Sequence, residues 1–190
     1  YLSLPEKPYD YVSLPSSGVP HPANDGNNPN NPITNEGATL GRVLFYDKLL
    51  SSNNQIKCAS CHKQEFAFAD NVAKSQGVNG ATIRNSMHLV NIRHSSSGLF
   101  WDSRVPTLEI QTLLPIQDHI EMNLTLPEMI YKLQKTTYYH SLFQNAFGDS
   151  DITSDRVSKA LSQFIRSLNS YNSKYDKRRT IYSERTVGIQ

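Results

Sequence analysis

The clearest hydrophobic pattern lies near the end of the chain. Val157, Ala160, Leu161, Phe164, Ile165 and Leu168 recur at i, i+3, i+4, i+7, i+8 and i+11, which is one apolar face of an α-helix. Thr153 or Ser154 supplies its N-cap. A second stripe, Leu40, Val43, Leu44 and Tyr46 through Leu50, predicts a helix over 38–50. Thr125-Leu-Pro-Glu128 has the form of a capping box, opening a helix to about Lys135. A further helix from Tyr138 to Phe147 is stopped by Gly148. Leu108, Ile110, Leu113 and Leu114 predict a helix near 106–117, with Pro106 in its first turn and Pro115 ending or kinking it. Residues 72–84, rich in Gly, Asn and Ser, read as loop. No alternating stretch is long enough for a sheet, and no internal repeat is visible. The expected class is mostly α with long loops.

Residues 1–36 break this pattern. They are rich in proline and asparagine, which predicts an irregular, extended N-terminal arm lying over the surface, with a disordered leader as the alternative. A chain of 190 residues holds one good core or two small ones. With 19 basic and 17 acidic residues the net charge is +2, so nothing favours nucleic acid or an anionic membrane. The short basic cluster Lys177-Arg178-Arg179 reads as a solvated tail. No apolar run approaches the roughly 18–20 residues of a membrane span. The chain starts at Tyr1 rather than Met, and the expectation is that an upstream segment, such as a signal peptide, has been removed.

Both cysteines fall in one short stretch, Cys58-Ala-Ser-Cys61-His62. A thioredoxin-like redox pair needs a preceding strand and a βαβ context, and neither is visible. A zinc site needs four ligands, and no His pair at helical spacing completes one. A surface disulfide or two buried free thiols are the bland alternatives. Covalent haem attachment uses every residue present. The thiols add to the haem vinyl groups across one helical turn, and His62 faces the iron as proximal ligand. Attachment of this kind takes place outside the cytoplasm, so a periplasmic or otherwise extracytoplasmic location is expected. The motif predicts haem, not its use: a strong sixth ligand makes an electron carrier, and an open distal side meets peroxide.

Around the motif stand "LGRVLFYDKLLSSNNQIKCASCH", "FAFAD", "GVNGATIRNSMHLVN" and "GLFWDSRVPTLEIQTLLPIQDHIEMN", followed by "FQNAFGD" and "ALSQFIRSLNSYNSKYD". In this order, over roughly residues 37–176, they resemble the N-terminal haem domain of bacterial di-haem cytochrome c peroxidases. That family is related to the tryptophan-crosslinking di-haem enzymes of methylamine utilisation. The resemblance implies a cytochrome c-like haem domain over 37–176. It makes His62 the proximal ligand of a peroxidatic haem and Glu121 the distal carboxylate that moves a proton between peroxide oxygens. Gln111 becomes the distal amide and Pro115 the residue shaping the distal face. Trp101 becomes an electron relay between two haems, and Asn85 a residue helping to hold calcium. Chemistry supports these roles: a buried carboxyl with a raised pKa can both take and give a proton near neutral pH. Gln111 and Pro115, four apart, share a helical face.

Two departures matter. Many such peroxidases place a histidine in the loop before the "RN" block, closing the distal side; here that position matches Val78. The haem is therefore expected to be five-coordinate or water-ligated. His88 and His94 read as hydrogen-bonding or surface residues. Met87 or Met122 as a sixth ligand would make the protein an electron-transfer cytochrome, the main rival reading. A third reading is an oxidase-type relative that modifies a partner protein. The second departure is that only one haem motif is present, and 177–190 resembles a linker into a second haem domain, so a fragment or a partial chain is expected. The expected partners are that second domain and a small electron donor, a cytochrome c or cupredoxin, with a homodimer also allowed.

Overall fold

The computed structural model describes residues 9–12, 28–95, 97–170, 173–175 and 178. In chain order the helices are α1 (Asn35–Tyr46), α2 (Cys58–Cys61), α3 (Leu108–Gln111), α4 (Leu114–Gln117), α5 (Leu126–Gln134), α6 (Thr137–Phe147) and α7 (Ser154–Ser167). An antiparallel hairpin, β1 (Gln76–Gly77) and β2 (Gly80–Ala81), lies between α2 and α3. The fold is mostly helical, as expected. The hairpin is a correction to the all-loop reading of 72–84: two residues per strand are too few to show an alternation.

Two glycines decide how α1 and α7 meet. A Cβ on Gly41 would lie 2.0 Å from the Ala160 carbonyl oxygen, and one on Gly37 2.1 Å from Oε1 of Gln163. Hydrogen alone fits at these two points, so the helices approach closely. Leu40, Leu44 and Phe45 join Val157, Leu161 and Phe164 in one core, with the Phe45 and Phe164 rings 5.2 Å apart. Full burial of each such side chain contributes roughly 1.5–3 kcal/mol.

Thr34 caps α1 by accepting from the Gly37 N–H at 3.0 Å. The helix stops at Tyr46, short of the expected residue 50, because Asp47 turns to other partners. Its carboxylate accepts from the Leu49 N–H at 2.8 Å, opening a 3₁₀ turn over Lys48–Leu50. It also accepts from the Tyr138 and Tyr139 hydroxyls at 2.8 and 2.7 Å, which ties α6 to the end of α1. The capping box of α5 forms as expected, with Thr125 and Glu128 bonded reciprocally. Gly148, at φ +89°, ends α6. Thr153, not Ser154, caps α7.

The helix expected over 106–117 is two short ones. Proline has no N–H, and its ring crowds the carbonyl four residues back. A continuous helix would set Pro115 against Gln111, so the chain breaks at 112–113. Pro115 then sits in the first turn of α4, where its missing donor is harmless. Pro106 precedes the cap Thr107 and lies outside the helix. Of the arm, Tyr11 donates its N–H to Asn35 Oδ1 at 2.8 Å and sets its ring edge-on to Phe164. Residues 1–8 and 13–27 of the arm, and all of 177–190 except Arg178, lie outside the described residues.

Candidate functional site

α2 is a single turn that exists to present three side chains. The His62 N–H donates to the Cys58 carbonyl at 2.9 Å, and the Lys57 N–H donates to Ser60 Oγ at 3.2 Å. Cys58 and Cys61 therefore share one side of the turn, both as free thiols. Burial pushes the Cys58 thiol up to about 12 and raises Cys61 as well. These are unactivated thiols, which argues against a redox pair, whose attacking sulfur needs a lowered pKa.

The closest hydrogen bond to the His62 ring comes from the loop after it. Its Nδ1 lies 2.9 Å from the Phe68 carbonyl. A carbonyl only accepts, so Nδ1 carries the proton and Nε2 keeps its lone pair. Burial lowers the His62 pKa against the opposing pull of the Phe68 and Met87 backbone, and a neutral imidazole is the form that ligates a metal. The carbonyl is aimed by unusual backbone: Ala67 and Phe68 have φ of 56° and 57°. Lys63 and Ala69 pair across this turn, and the Lys63 carbonyl accepts from Phe68 N–H at 2.9 Å. The Phe68 ring meanwhile enters the core, 5.9 Å from Phe45.

The facing wall comes from α3, α4 and the irregular turn after them. Gln111 is buried and donates its amide to the Met87 thioether at 3.4 Å. Pro115 and Ile116 follow on α4. Glu121 rides on a turn organised by Asp118, whose Oδ1 accepts from the N–H groups of Ile120 and Glu121 at 2.8 and 3.1 Å. Burial raises the Glu121 pKa, Asp118 adds to the rise, and Arg104 opposes it. The carboxyl thus holds its proton to higher pH than an exposed glutamate.

The mouth is a third loop, Gly98–Val105, closed by a bridge between Leu99 and Val105. Phe100 and Ser103 take φ of 65° and 55° there, which turns Trp101 outward, 59% exposed. Its indole N–H donates to the Asn85 carbonyl at 2.8 Å. Arg84 and Arg104 flank Asp102 at 2.7 and 2.8 Å, and their hydrogen bonds hold its carboxyl at about 2. The Asn85 side chain donates to the Val72 carbonyl at 2.8 Å.

Cys58, Cys61, His62, Asn85, Trp101, Gln111, Pro115 and Glu121 all line one cleft. Its empty space is about 1360 Å³, open solvent at the mouth included. The helical side of this cleft is apolar, formed by Phe45, Leu161 and Ile165. Met87 and Met122 also line it; His88, His94 and Val78 do not. Among the described residues no group of three or more His, Cys, Asp or Glu could hold a metal ion. Two free thiols on one helical turn, a neutral imidazole with Nδ1 turned to a carbonyl and an apolar cleft beside them fit a covalently attached haem. Sequence reasoning missed the Phe68 carbonyl and Asp118. The second had a signal, since an Asp two and three residues before amides it can accept from is an Asx pattern.

A family model described as di-haem cytochrome c peroxidase matches residues 35–181. The methylamine utilization protein MauG of Methylophilus methylotrophus is 36% identical over 149 residues, 77% of this chain and 44% of that protein. The cytochrome c551 peroxidase of Nitrosomonas europaea is 32% identical over 166 residues, 82% of this chain and 47% of that protein. Among solved structures, a MauG-like protein associated with microbial copper homeostasis superposes with a TM-score of 0.77 at 34% identity, covering 90% of this chain and 49% of that one. The chain spans a little under half the length of these relatives.

Proposed function

Since this chain belongs to the di-haem cytochrome c peroxidase family, we propose that its cleft is the peroxide site of a haem c peroxidase, reducing hydrogen peroxide to water. Cys58 and Cys61 would hold the haem through thioethers, and His62 would ligate its iron through Nε2. The haem supplies the redox-active iron at which the peroxide bond is reduced. The chain supplies the rest. The Phe68 carbonyl fixes the His62 ring and tautomer. Gln111 offers an amide donor from the opposite wall. Glu121 takes a proton from one peroxide oxygen and returns it to the other, so that peroxide, two protons and two electrons become two waters. Its raised pKa suits a group that must both accept and donate near neutrality. In this reading Trp101 at the mouth would relay electrons that a small donor protein, a cytochrome c or cupredoxin, would supply by way of a second haem. The location is extracytoplasmic. A calcium ion near Asn85 would use its Oδ1, since calcium takes oxygen ligands, and the side-chain nitrogen donates to the Val72 carbonyl.

The observation that carries this reading is the convergence of Cys58, Cys61, His62, Gln111, Pro115 and Glu121 on one cleft. Val78 lies on the hairpin and outside the cleft lining, so no imidazole reaches the distal side from that position. Glu121→Gln is expected to lower peroxide turnover by about 10²–10⁴-fold, measured by stopped flow with a reduced donor. Turnover at the wild-type rate removes the proton-transfer role. An oxidised spectrum of pure six-coordinate low-spin iron with Met ligation would favour the electron-transfer alternative.

A second reading shares these residues. The MauG relative is at least as similar as the peroxidase, and Trp101 stands exposed at the mouth. Both fit an oxidase that draws electrons from a partner protein instead of a donor cytochrome. Peroxide consumption with and without a reduced donor separates the two.

A further inference from the structure

The turn that carries Glu121 belongs to neither helix nor sheet, yet most of its backbone is hydrogen-bonded. Asp118 takes the amides: its Oδ1 accepts from Ile120 and Glu121, and its carbonyl accepts from Met122 and Asn123 at 3.2 and 2.8 Å. The carbonyls go elsewhere. His119 accepts from Asn79 Nδ2 at 2.6 Å, and Ile120 from the Asn79 N–H at 3.1 Å. Glu121 accepts from the Val78 N–H at 2.9 Å, and Met122 from the Ser52 N–H at 2.9 Å. Three of those four bonds come from the two residues joining β1 to β2. The fit is close, because a Cβ on Gly77 would lie 2.1 Å from the Ile120 oxygen and 2.8 Å from Glu121 Cα. The Glu121 carboxyl itself makes no hydrogen bond among the described residues. Its aim is therefore set by its backbone, and the backbone is set by the hairpin.

We infer that the 76–81 hairpin is a clamp on the catalytic turn and that Asn79 is a positioning residue for Glu121. This rests on the proton-carrying role proposed for Glu121. Asn79 suits the task because one residue supplies two donors, main-chain and side-chain, to consecutive carbonyls. Misplacing a proton-transfer group by about 1 Å from a distance costs up to about 10²-fold in rate.

The test uses haem-loaded protein carrying Asn79→Ala. Amide exchange at Val78 and over 120–123 is expected to quicken at least tenfold, with covalent haem content unchanged. Turnover in peroxide, as kcat/KM, is expected to fall about tenfold or more. In a Glu121→Gln background the same substitution is expected to add nothing, because the clamp acts through that carboxyl. An equal loss in both backgrounds, or faster exchange with kcat/KM unchanged, overturns the inference, as does exchange that stays slow. Gly77→Ala, which forces the hairpin off the turn by another route, is expected to reproduce the pattern. Full turnover by Glu121→Gln alone would defeat the proposed function instead, while the exchange data still report whether the clamp exists.

Discussion

Along α1 and α7 the helical ladders satisfy the backbone, and the side chains that face the cleft from this wall, Phe45, Leu161 and Ile165, only pack. Across the cleft, beyond the single turns of α3 and α4, the backbone has no ladder. The turns at 63–69, 98–105 and 118–123 hold their shape through side-chain caps, single bridges and left-handed residues. Among the described residues, five of the seven non-glycine residues with positive φ, Ala67, Phe68, Phe100, Ser103 and Asn123, lie on these turns. Each such conformation costs roughly 1–2 kcal/mol. The strain thus collects beside the chemistry, while the helical wall supplies the stability that tolerates it. Function needs carbonyls and carboxyls pointed in directions that no regular element offers.

The largest test of this contrast is in the helical wall. Gly41 has no room for a side chain, since any Cβ meets the Ala160 carbonyl. Gly41→Val is expected to force the two helices apart and destabilise by about 3 kcal/mol or more in chemical denaturation. A loss under about 1 kcal/mol would mean that α1 and α7 are not the rigid half.

The contrast also explains what was legible in the sequence. Helical periodicity and caps are local, so α5, α6 and α7 could be placed from their own residues. The attachment motif is local too, and the resemblance of the flanking blocks pointed to Trp101, Gln111, Pro115 and Glu121. The turns were opaque for a physical reason. The role of Phe68 depends on a left-handed φ that alanine and phenylalanine do not advertise. The clamp at Asn79 depends on contacts about 40 residues away. Pro115 does interrupt the helix, but the break falls at 112–113, because the penalty lies on the carbonyl four residues earlier.

The seam between the walls offers the next test. α3 sends Gln111 into the cleft and Glu109 back to α7, where Arg166 grips it with two bonds of 2.6 and 2.8 Å. Burial pushes the Glu109 carboxyl up, but hydrogen bonds from Arg166 and Asn31 and the Arg166 charge outweigh this and hold it at about 2. Its pKa is lower folded than unfolded. The pair's contribution is therefore complete above about pH 4.5 and is lost as pH falls toward 2. The expected size is on the order of 3 kcal/mol at most. Denaturation of wild type and Glu109→Gln at pH 6 and pH 3 reads it directly: the difference between them is expected to shrink at the lower pH. A gap that stays constant would show that the ion pair does not join the walls.

The smallest effect is expected in the turn that aims His62. Ala67 is exposed and left-handed, with φ 56° and ψ 36°. Glycine adopts that conformation freely, while alanine is strained there. Against the relief stands the greater freedom of glycine in the unfolded chain, about 0.5–1 kcal/mol. Ala67→Gly is therefore expected to be neutral or to stabilise by up to about 1 kcal/mol. The Phe68 carbonyl should keep its hold on His62 Nδ1, so the haem spectrum should not change. The same comparison at Gly41 has the opposite sign. In the helical wall a glycine is required by space, and in the loop wall a left-handed alanine stands where glycine would fit. A clear loss of stability in Ala67→Gly would show that this turn is not strained, and the division between the walls would then rest on hydrogen bonding alone.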